Sequence, residues 1–297
     1  MKILLGTHYL AKTGGTECYT YALAMELKRL GHDVEYYTEE PGYVSWRLAS
    51  AGIKPKQSNH YDLILANHTT VVAHLCGSGP IIQTCHGATA ELEQPSAFAD
   101  IHVAVSDEVA KHLEELGFQS AAIIHNGIDC VRFFPKKPVS DKLQTVLSLC
   151  QGAEAHEFVR RCCERSGYKF LRADKKKDDV WFIEDLICQS DLVVGLGRSV
   201  YDAMACGRCA LVYDKRDNIG HFMGDGMIMQ ETIQKALTCN CNGKANKFVY
   251  SEDEFIAEMQ KFSPHIAKWS RGFAVTNLNI RNVAERYLQI YRETLHR

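Results

Sequence analysis

Long apolar runs are missing from this sequence, and so is an excess of charge of either sign. No uninterrupted apolar segment is long enough to span a bilayer. The apolar run within Met1–Leu10 is too short for a signal peptide and predicts a first strand. The formal net charge is −2, so no global basic field would recruit nucleic acid or an anionic membrane. We therefore expect a soluble, cytoplasmic protein.

A disulfide framework is also missing, although cysteine itself is plentiful. The 12 cysteines are scattered, and several, such as Cys85, lie inside apolar runs. This pattern indicates buried, reduced thiols in a reducing compartment. The pairs Cys206/Cys209 and Cys239/Cys241 leave a four-thiolate zinc site open as an alternative. Small buried side chains are the favoured interpretation, because Cys206 falls in a predicted helix and Cys209 opens a predicted strand.

What is present is a regular alternation of strand and helix patterns. Apolar residues make up 46% of the 297 positions, enough for one large or two ordinary α/β domains. The predicted strands of the first half are Lys2–Gly6, Asp33–Thr38, Leu63–Ala66, Ile81–Cys85, Ile101–Val105 and Ala121–His125. Helices are predicted from Thr16 to Leu30, over Val44–Ala51 and over Asp107–Leu116. Repeated βα units predict a parallel, doubly wound sheet.

A second α/β half follows a break at Phe134–Leu143, where prolines and lysines interrupt the pattern. Its predicted elements are Thr145–Leu149, Glu154–Ser166, Lys169–Arg172, Val180–Gln189, Glu252–Lys261 and a terminal helix, Asn279–Leu295. The predicted domains are 1–138, 139–275 and a terminal helix within 276–297. Two such halves would form a cleft, the usual place for a small-molecule site.

One stretch of the second half predicts an anion site. Leu192–Val194 indicates a buried strand, glycines at 195 and 197 a tight turn, and Val200–Cys206 a helix with Ser199 as its N-cap. Such a turn would offer free N–H groups and the Arg198 guanidinium at the edge of a parallel sheet. An ordinary βαβ turn is the alternative.

Four motifs, taken in order, carry a family resemblance. They are Gly14-Gly15-Thr16, Thr84-Cys85-His86-Gly87, Ser106 with Asn126-Gly127-Ile128-Asp129, and Asp202-Ala203-Met204-Ala205-Cys206-Gly207. Together they resemble motifs of the retaining, family-four glycosyltransferases of the GT-B fold. The resemblance implies two Rossmann-like domains facing across a cleft, with a C-terminal helix that crosses back to the first domain.

The same resemblance assigns roles to individual residues. It implies that His86 is catalytic, contacting the donor sugar or the acceptor near the reacting centre, and that Asp202 binds the ribose. The residues expected around the donor diphosphate are Gly14, Gly15, Thr16, Gly197, Arg198 and Ser199. His68 and Asn126 are further cleft candidates. A structurally satisfied histidine, a plain glycine turn and a carboxylate serving a helix dipole are the alternatives.

Two departures from the family pattern leave the identity of the donor undecided. The first of two family glutamates falls on Val194, and the family's basic pair has no counterpart in Ser148–Glu154. Arg198 is the residue that could substitute, because a guanidinium forks onto phosphate oxygens. A changed donor and a loss of activity both remain open.

The implied activity is transfer of a hexose-like sugar from a nucleotide sugar such as UDP-glucose, with retention of configuration. Neither a metal nor a cofactor beyond the nucleotide sugar is expected. The acceptor would be a saccharide, a lipid-linked or small molecule, or a modified DNA base, and the oligomeric state stays open. A non-catalytic binding subunit is one alternative. Phage-type DNA glucosylation is another, and Lys136-Lys137 and Lys175–Lys177 allow it without requiring it.

Overall fold

The computed structural model describes residues 1–173, 180–215 and 223–295, and Lys175–Lys177 lies outside them. The strands are β1 (Lys2–Tyr9), β2 (Asp33–Glu40), β3 (Lys54–Pro55), β4 (Leu63–Ala66), β5 (Ile81–Cys85), β6 (Ile101–Ala104), β7 (Ser120–Ile123), β8 (Thr145–Ser148), β9 (Lys169–Arg172), β10 (Leu192–Gly195), β11 (Cys209–Asp214) and β12 (Met223–Met227). The α-helices are α1 (Gly15–Arg29), α2 (Tyr43–Ser50), α3 (Thr69–Leu75), α4 (Asp107–Glu115), α5 (Ala153–Ser166), α6 (Ile183–Ile187), α7 (Arg198–Ala205), α8 (Ile233–Leu237), α9 (Glu252–Met259), α10 (Pro264–Asn277) and α11 (Ile280–Ile290).

The chain divides into two compact units. Unit 1 comprises Met1–Asp129 and Ile280–Arg297, and unit 2 comprises Cys130–Asn279. The domain boundaries predicted from the sequence, after residues 138 and 275, stay predictions. Each unit has its own sheet and its own buried core.

Unit 1 is built on a seven-stranded sheet in the order β3-β2-β1-β4-β5-β6-β7, with every pair parallel. The chain reverses its direction of growth between β1 and β4, which makes their carboxyl ends the topological switch point where such sheets bind ligands. The terminal helix α11 packs on α1. There the Tyr287 hydroxyl lies 3.0 Å from that of Tyr19 and 2.7 Å from Thr84 Oγ1.

Unit 2 has a five-stranded sheet in the order β12-β11-β10-β8-β9. Strands β8 to β11 are parallel, whereas β12 runs antiparallel to β11. Strand β12 was not predicted from the sequence, because two glycines interrupt its apolar pattern (MGDGM). The switch point of this sheet lies between β8 and β10.

A buried carboxylate fixes the entry to the unit 2 sheet. Asp191 is only 5% exposed and accepts hydrogen bonds from the main-chain N–H groups of Ser140, Gln144 and Thr145, at 2.8, 3.1 and 3.0 Å. Asp191→Ala would leave these donors without their charged acceptor, so we expect a loss of about 3 kcal/mol in unfolding free energy. Urea unfolding measures the loss. The exposed Asp141→Ala is the matched control and should change stability by less than about 0.5 kcal/mol.

The helix after β10 begins two residues earlier than predicted, at Arg198 instead of Val200. Gly197, not Ser199, is the N-cap of α7, and Gly197 has a φ of +56°. A glycine adopts this left-handed conformation without strain, so the chain can turn directly into the helix. At the other end Cys206 is the C-cap and Gly207 follows with a φ of +64°. The prediction that Ser199 is the N-cap was wrong.

All 12 cysteines are free thiols in the structure. Cys206, Cys209 and Cys241 are buried, as the favoured interpretation of the sequence expected. Across the described ranges, no group of three or more histidine, cysteine or acidic side chains could hold a metal ion. The zinc alternative therefore has no support here.

Candidate functional site

The candidate residues of unit 1 meet at the carboxyl ends of three neighbouring strands. His8 lies near the end of β1, Asn67 and His68 follow β4, and His86 follows β5. Because β1 and β4 flank the switch point, these side chains stand where an open parallel sheet holds a ligand. His68 and His86, predicted separately from the sequence, are brought close enough for His68 to lower the pKa of His86.

A chain of hydrogen bonds links His86 to Thr16, in the first turn of α1, which is the last residue of the glycine motif. His86 Nε2 lies 3.0 Å from Asn67 Oδ1, and Asn67 Nδ2 donates to Thr20 Oγ1 at 2.8 Å. Thr20 in turn donates to the carbonyl of Thr16 at 2.8 Å. With the Asn67 amide oriented in this way, its oxygen faces His86, so the imidazole carries its proton on Nε2 and keeps a lone pair on Nδ1.

His86 is a neutral ring at physiological pH. Burial, and secondly the nearby His68, lower the pKa of His86 to about 3, although a hydrogen bond with the Asn126 side chain opposes the shift. The predicted candidate Asn126 is thus next to His86. A neutral imidazole does not neutralise a diphosphate, but it can donate to or accept from a sugar hydroxyl.

Two carboxylates lie over glycines beside this relay. A Cβ atom on Gly14 would collide with the carboxylate of Glu17, and one on Gly87 would collide with that of Glu93. Burial, and then the charge of Glu17, raise the pKa of Glu93. The negative charge favours hydroxyl groups over phosphate at this loop. A diphosphate role for Gly14, Gly15 and Thr16 stays a prediction.

The tautomer of His68 is fixed by the main chain. The N–H of His8 donates to His68 Nδ1 at 2.9 Å, and Thr7 Oγ1 lies 3.1 Å from the same atom. A ring nitrogen that accepts an N–H bond carries no proton, so the proton of neutral His68 is on Nε2. Burial, and then the charge on His8, lower the pKa of His68 to about 4.

The lowered pKa of His68 predicts that the protein loses unfolding free energy in acid. The folded His68 ring binds a proton only below about pH 4, whereas an unfolded ring does so below about pH 6.5. The unfolded state therefore holds more protons in this window, and stability falls as the pH is lowered through it. We expect His68 to contribute a loss on the order of 2–3 kcal/mol between pH 7 and 4.5. Urea unfolding at both values should show a smaller loss for His68→Gln, and an unchanged loss for the exposed control His60→Gln.

In unit 2, Arg198 lies at the switch point between β8 and β10. Its Nε is 3.5 Å from Asp202 Oδ1, and its Cζ lies 5.9 Å from the centre of the Phe133 ring. The Arg198 Nη1 atom is buried and has no hydrogen-bond partner in the described structure. The Ser148 hydroxyl, at the carboxyl end of β8, is likewise buried without one. Buried donors without acceptors are what an absent anionic ligand would satisfy.

The amides of the turn itself are mostly occupied, contrary to the expectation of free N–H groups. Gly197 N–H donates to the carbonyl of Cys241 at 2.8 Å, and Ser199 N–H to that of Leu196 at 3.2 Å. The segment that supplies the first carbonyl has positive φ angles at Asn240 (53°) and Cys241 (49°). An anion at this edge would therefore depend on the Arg198 side chain more than on the turn amides.

The structure shows what surrounds the two positions at which the sequence departs from the family pattern. Val194 is fully buried within β10. The N-terminus of α5, which follows β8, is occupied by the carboxylate of Asp214, which accepts from Gln151 N–H at 2.9 Å and Gly152 N–H at 3.3 Å. Asp202 is only 7% exposed and forms the ion pair with Arg198. Its role at the ribose stays a prediction.

Sequence reasoning missed the polar residues that surround His68. His8 is paired with Glu39, at the end of β2, and with Thr70, at the start of α3. The signal was available, because residues that follow adjacent parallel strands share one sheet edge.

No helix among the described residues combines the length and apolar character of a membrane span.

Comparisons with known protein families and solved structures identify the fold of this protein. Residues 13–132 match the family model described as Glycosyltransferase Family 4. Solved structures that are similar over the whole chain include the following three. An alpha-glucosyltransferase in complex with UDP and a 13-mer DNA containing an HMU base is 10% identical, with coverage of 98% of this chain and 99% of that one and a TM-score of 0.62. UDP-GlcNAc 2-epimerase from Neisseria meningitidis bound to UDP-GlcNAc is 11% identical, with coverage of 99% and 100% and a TM-score of 0.56. MurG from Acinetobacter baumannii is 11% identical, with coverage of 97% and 99% and a TM-score of 0.54.

These likenesses define a protein of the GT-B fold, with two Rossmann-like units. The segment that is similar to glycosyltransferase family 4, residues 13–132, contains the glycine loop, His68, His86 and Asn126. The recognition of the fold from four sequence motifs is confirmed. A comparison with curated protein sequences gives no match.

Proposed function

We propose that this protein transfers a hexose-like sugar from a nucleotide-sugar donor to a hydroxyl acceptor. The observation that carries the proposal is the relay His86–Asn67–Thr20–Thr16, which joins two separately predicted motifs within the segment that matches the family model. A neutral, oriented imidazole beside a glycine loop is suited to hold a sugar hydroxyl. The nucleotide sugar is the only co-substrate proposed, with UDP-glucose as the first donor to test.

The chemistry needs charge stabilisation on the departing diphosphate and orientation of the sugar. In our proposal Arg198 supplies the charge and His86 the orientation. We propose retention of configuration without a metal, with a leaving-phosphate oxygen taking the acceptor's proton. The anomeric configuration of the product, read by NMR, tests retention, and activity in the presence of a chelator tests the metal. With 12 free thiols, a reducing cytoplasm is the proposed location.

A nucleotide and nucleotide-sugar panel tests the proposal as a whole. A ligand that binds only the folded state raises the melting temperature, so the correct donor should stand out at saturating concentration. Turnover is then followed as release of nucleoside diphosphate. An absence of both stabilisation and turnover with every common donor would refute the proposal.

A non-catalytic binding subunit is the second candidate. It is favoured by the buried Val194 and by the Asp214 carboxylate that fills the N-terminus of α5. Stabilisation by a nucleotide sugar without any turnover, across the acceptors tested, would select this candidate.

A further inference from the structure

We propose that Cys188 and Cys206 of unit 2 form a site of reversible oxidation, at which a peroxide converts the two thiols into a disulfide. Cys188 is the C-cap of α6, and Cys206 is the C-cap of α7. The inference concerns thiol chemistry and does not depend on the proposed sugar transfer. It is carried by the contact between the two thiols, by a buried cation beside them and by their unequal exposure.

The two thiols are in contact with each other. Helix α6 packs against α7, and the Cys188 thiol is hydrogen-bonded with that of Cys206. The Cys188 sulfur also lies 3.4 Å from the carbonyl oxygen of Phe134 and accepts a hydrogen bond from the main-chain N–H of Lys136. Two sulfurs at hydrogen-bond distance need only a small side-chain movement to reach the length of a disulfide bond, about 2.0 Å.

A buried guanidinium lies beside the pair. Arg208 is only 1% exposed, and its Nη2 atom donates to the carbonyls of Cys188 and Lys137 at 2.9 and 2.8 Å. Within the described part of the chain, the hydrogen bonds of the Arg208 side chain all go to main-chain carbonyls and none to a carboxylate. A buried cation without a bonded carboxylate stabilises a thiolate next to it.

The two thiols differ in acidity from each other and from other buried thiols. The hydrogen bond with Cys206, and then a main-chain N–H and nearby cations, hold the pKa of Cys188 below its usual value, although burial opposes the shift. The hydrogen bond with Cys188, and then burial, raise the pKa of Cys206. Burial likewise raises the pKa of Cys163 and of Cys209. Because the thiolate is the nucleophile, Cys188 is the attacking residue and Cys206 the resolving one.

Exposure gives the same order of steps, since Cys188 is 5% exposed and Cys206 is fully buried. The Cys188 thiolate attacks one peroxide oxygen, and the O–O bond breaks. Cys188 becomes a sulfenic acid, and the second oxygen leaves as hydroxide, which takes up the proton that Cys188 had lost. The Cys206 sulfur then attacks the Cys188 sulfur, and the S–O bond breaks as the S–S bond forms. The hydroxyl leaves as water with the Cys206 proton, so the two sulfurs lose two electrons and the peroxide becomes two waters.

Peroxide titration of the full chain tests the site. The reduced protein is treated with hydrogen peroxide, the remaining thiols are alkylated, and the peptides are mapped by mass spectrometry without reduction. We expect one disulfide, between Cys188 and Cys206, that dithiothreitol reverses. Cys188 should be oxidised at least about tenfold faster than Cys209, because its lowered pKa gives it thiolate character. A first disulfide between any other two cysteines, or oxidation of Cys188 no faster than that of Cys209, would overturn the proposal.

Two variants distinguish the attacking thiol from the resolving one. Cys206→Ala should stop at the sulfenic acid of Cys188, which dimedone traps, whereas Cys188→Ala should leave Cys206 reduced. Cys209→Ala is the matched buried control and should form the disulfide at the wild-type rate. Circular dichroism checks that each variant is folded, and the wild-type peptide map decides the question where one is not. Dimedone labelling of Cys206 in the folded Cys188→Ala protein would overturn the assignment of Cys188 as the attacking thiol.

Discussion

His86→Ala should lower kcat for sugar transfer by about 10²–10³-fold while the protein stays folded. The alanine removes the Nε2–H bond to Asn67 Oδ1 and the only ring that the relay orients. Loss of one oriented polar group at a reacting centre typically costs this much, because the group acts on the transition state more than on the bound substrate. Steady-state kinetics with the saturating donor measure the effect.

Two further variants distinguish a catalytic role from a structural one. Thr20→Val leaves His86 in place but removes the partner of Asn67 Nδ2, so we expect a smaller loss of activity. His60→Ala, on an exposed loop, is the matched control and should leave kcat unchanged. A near-normal kcat and an unchanged melting temperature in the alanine variant would contradict a catalytic role for His86.

The sequence was sufficient for most of the parallel strands and for the unit 1 motifs, but not for β12, α3 and α10. A short, fully apolar strand such as β4 (LILA), followed by a polar turn, indicates a buried strand of a parallel sheet. The carboxyl ends of neighbouring parallel strands then necessarily share an edge, which is why His68 and His86 could be expected there. The fold followed from these local patterns.

The interactions that give the site its chemistry could not be predicted in the same way. The tautomer of His86 depends on Asn67 and Thr20, and Thr20 is 47 positions away from Asn67 along the chain. The Gly197 amide, expected to be free at the α7 turn, is occupied because the carbonyl of Cys241 in a distant segment accepts its hydrogen bond. Both outcomes are tertiary contacts, and no local pattern of residues specifies them.

Arg198→Ala should weaken binding of the nucleoside diphosphate by about 100-fold. Within residues 1–173, 180–215 and 223–295 the buried Nη1 atom has no hydrogen-bond partner, and a phosphate oxygen would offset the desolvation cost of this donor. A phosphate would supply charge-assisted hydrogen bonds to the guanidinium, and two such bonds account for the expected loss. Calorimetric titration measures it. The exposed Arg160→Ala on α5 is the control, and equal affinity in all three proteins would contradict a diphosphate at Arg198.

Asp202 provides the complementary test, because its two possible roles predict opposite signs. If the carboxylate binds the ribose, as the family resemblance implies, Asp202→Asn should weaken binding of a nucleoside diphosphate more than binding of pyrophosphate. If it only pairs with Arg198 across one helical turn, at 3.5 Å, the neutral amide frees the guanidinium, and affinity for both ligands should rise. The buried position of Asp202 favours the second result. A loss of affinity for the nucleoside diphosphate but not for pyrophosphate would instead support binding of the ribose by Asp202.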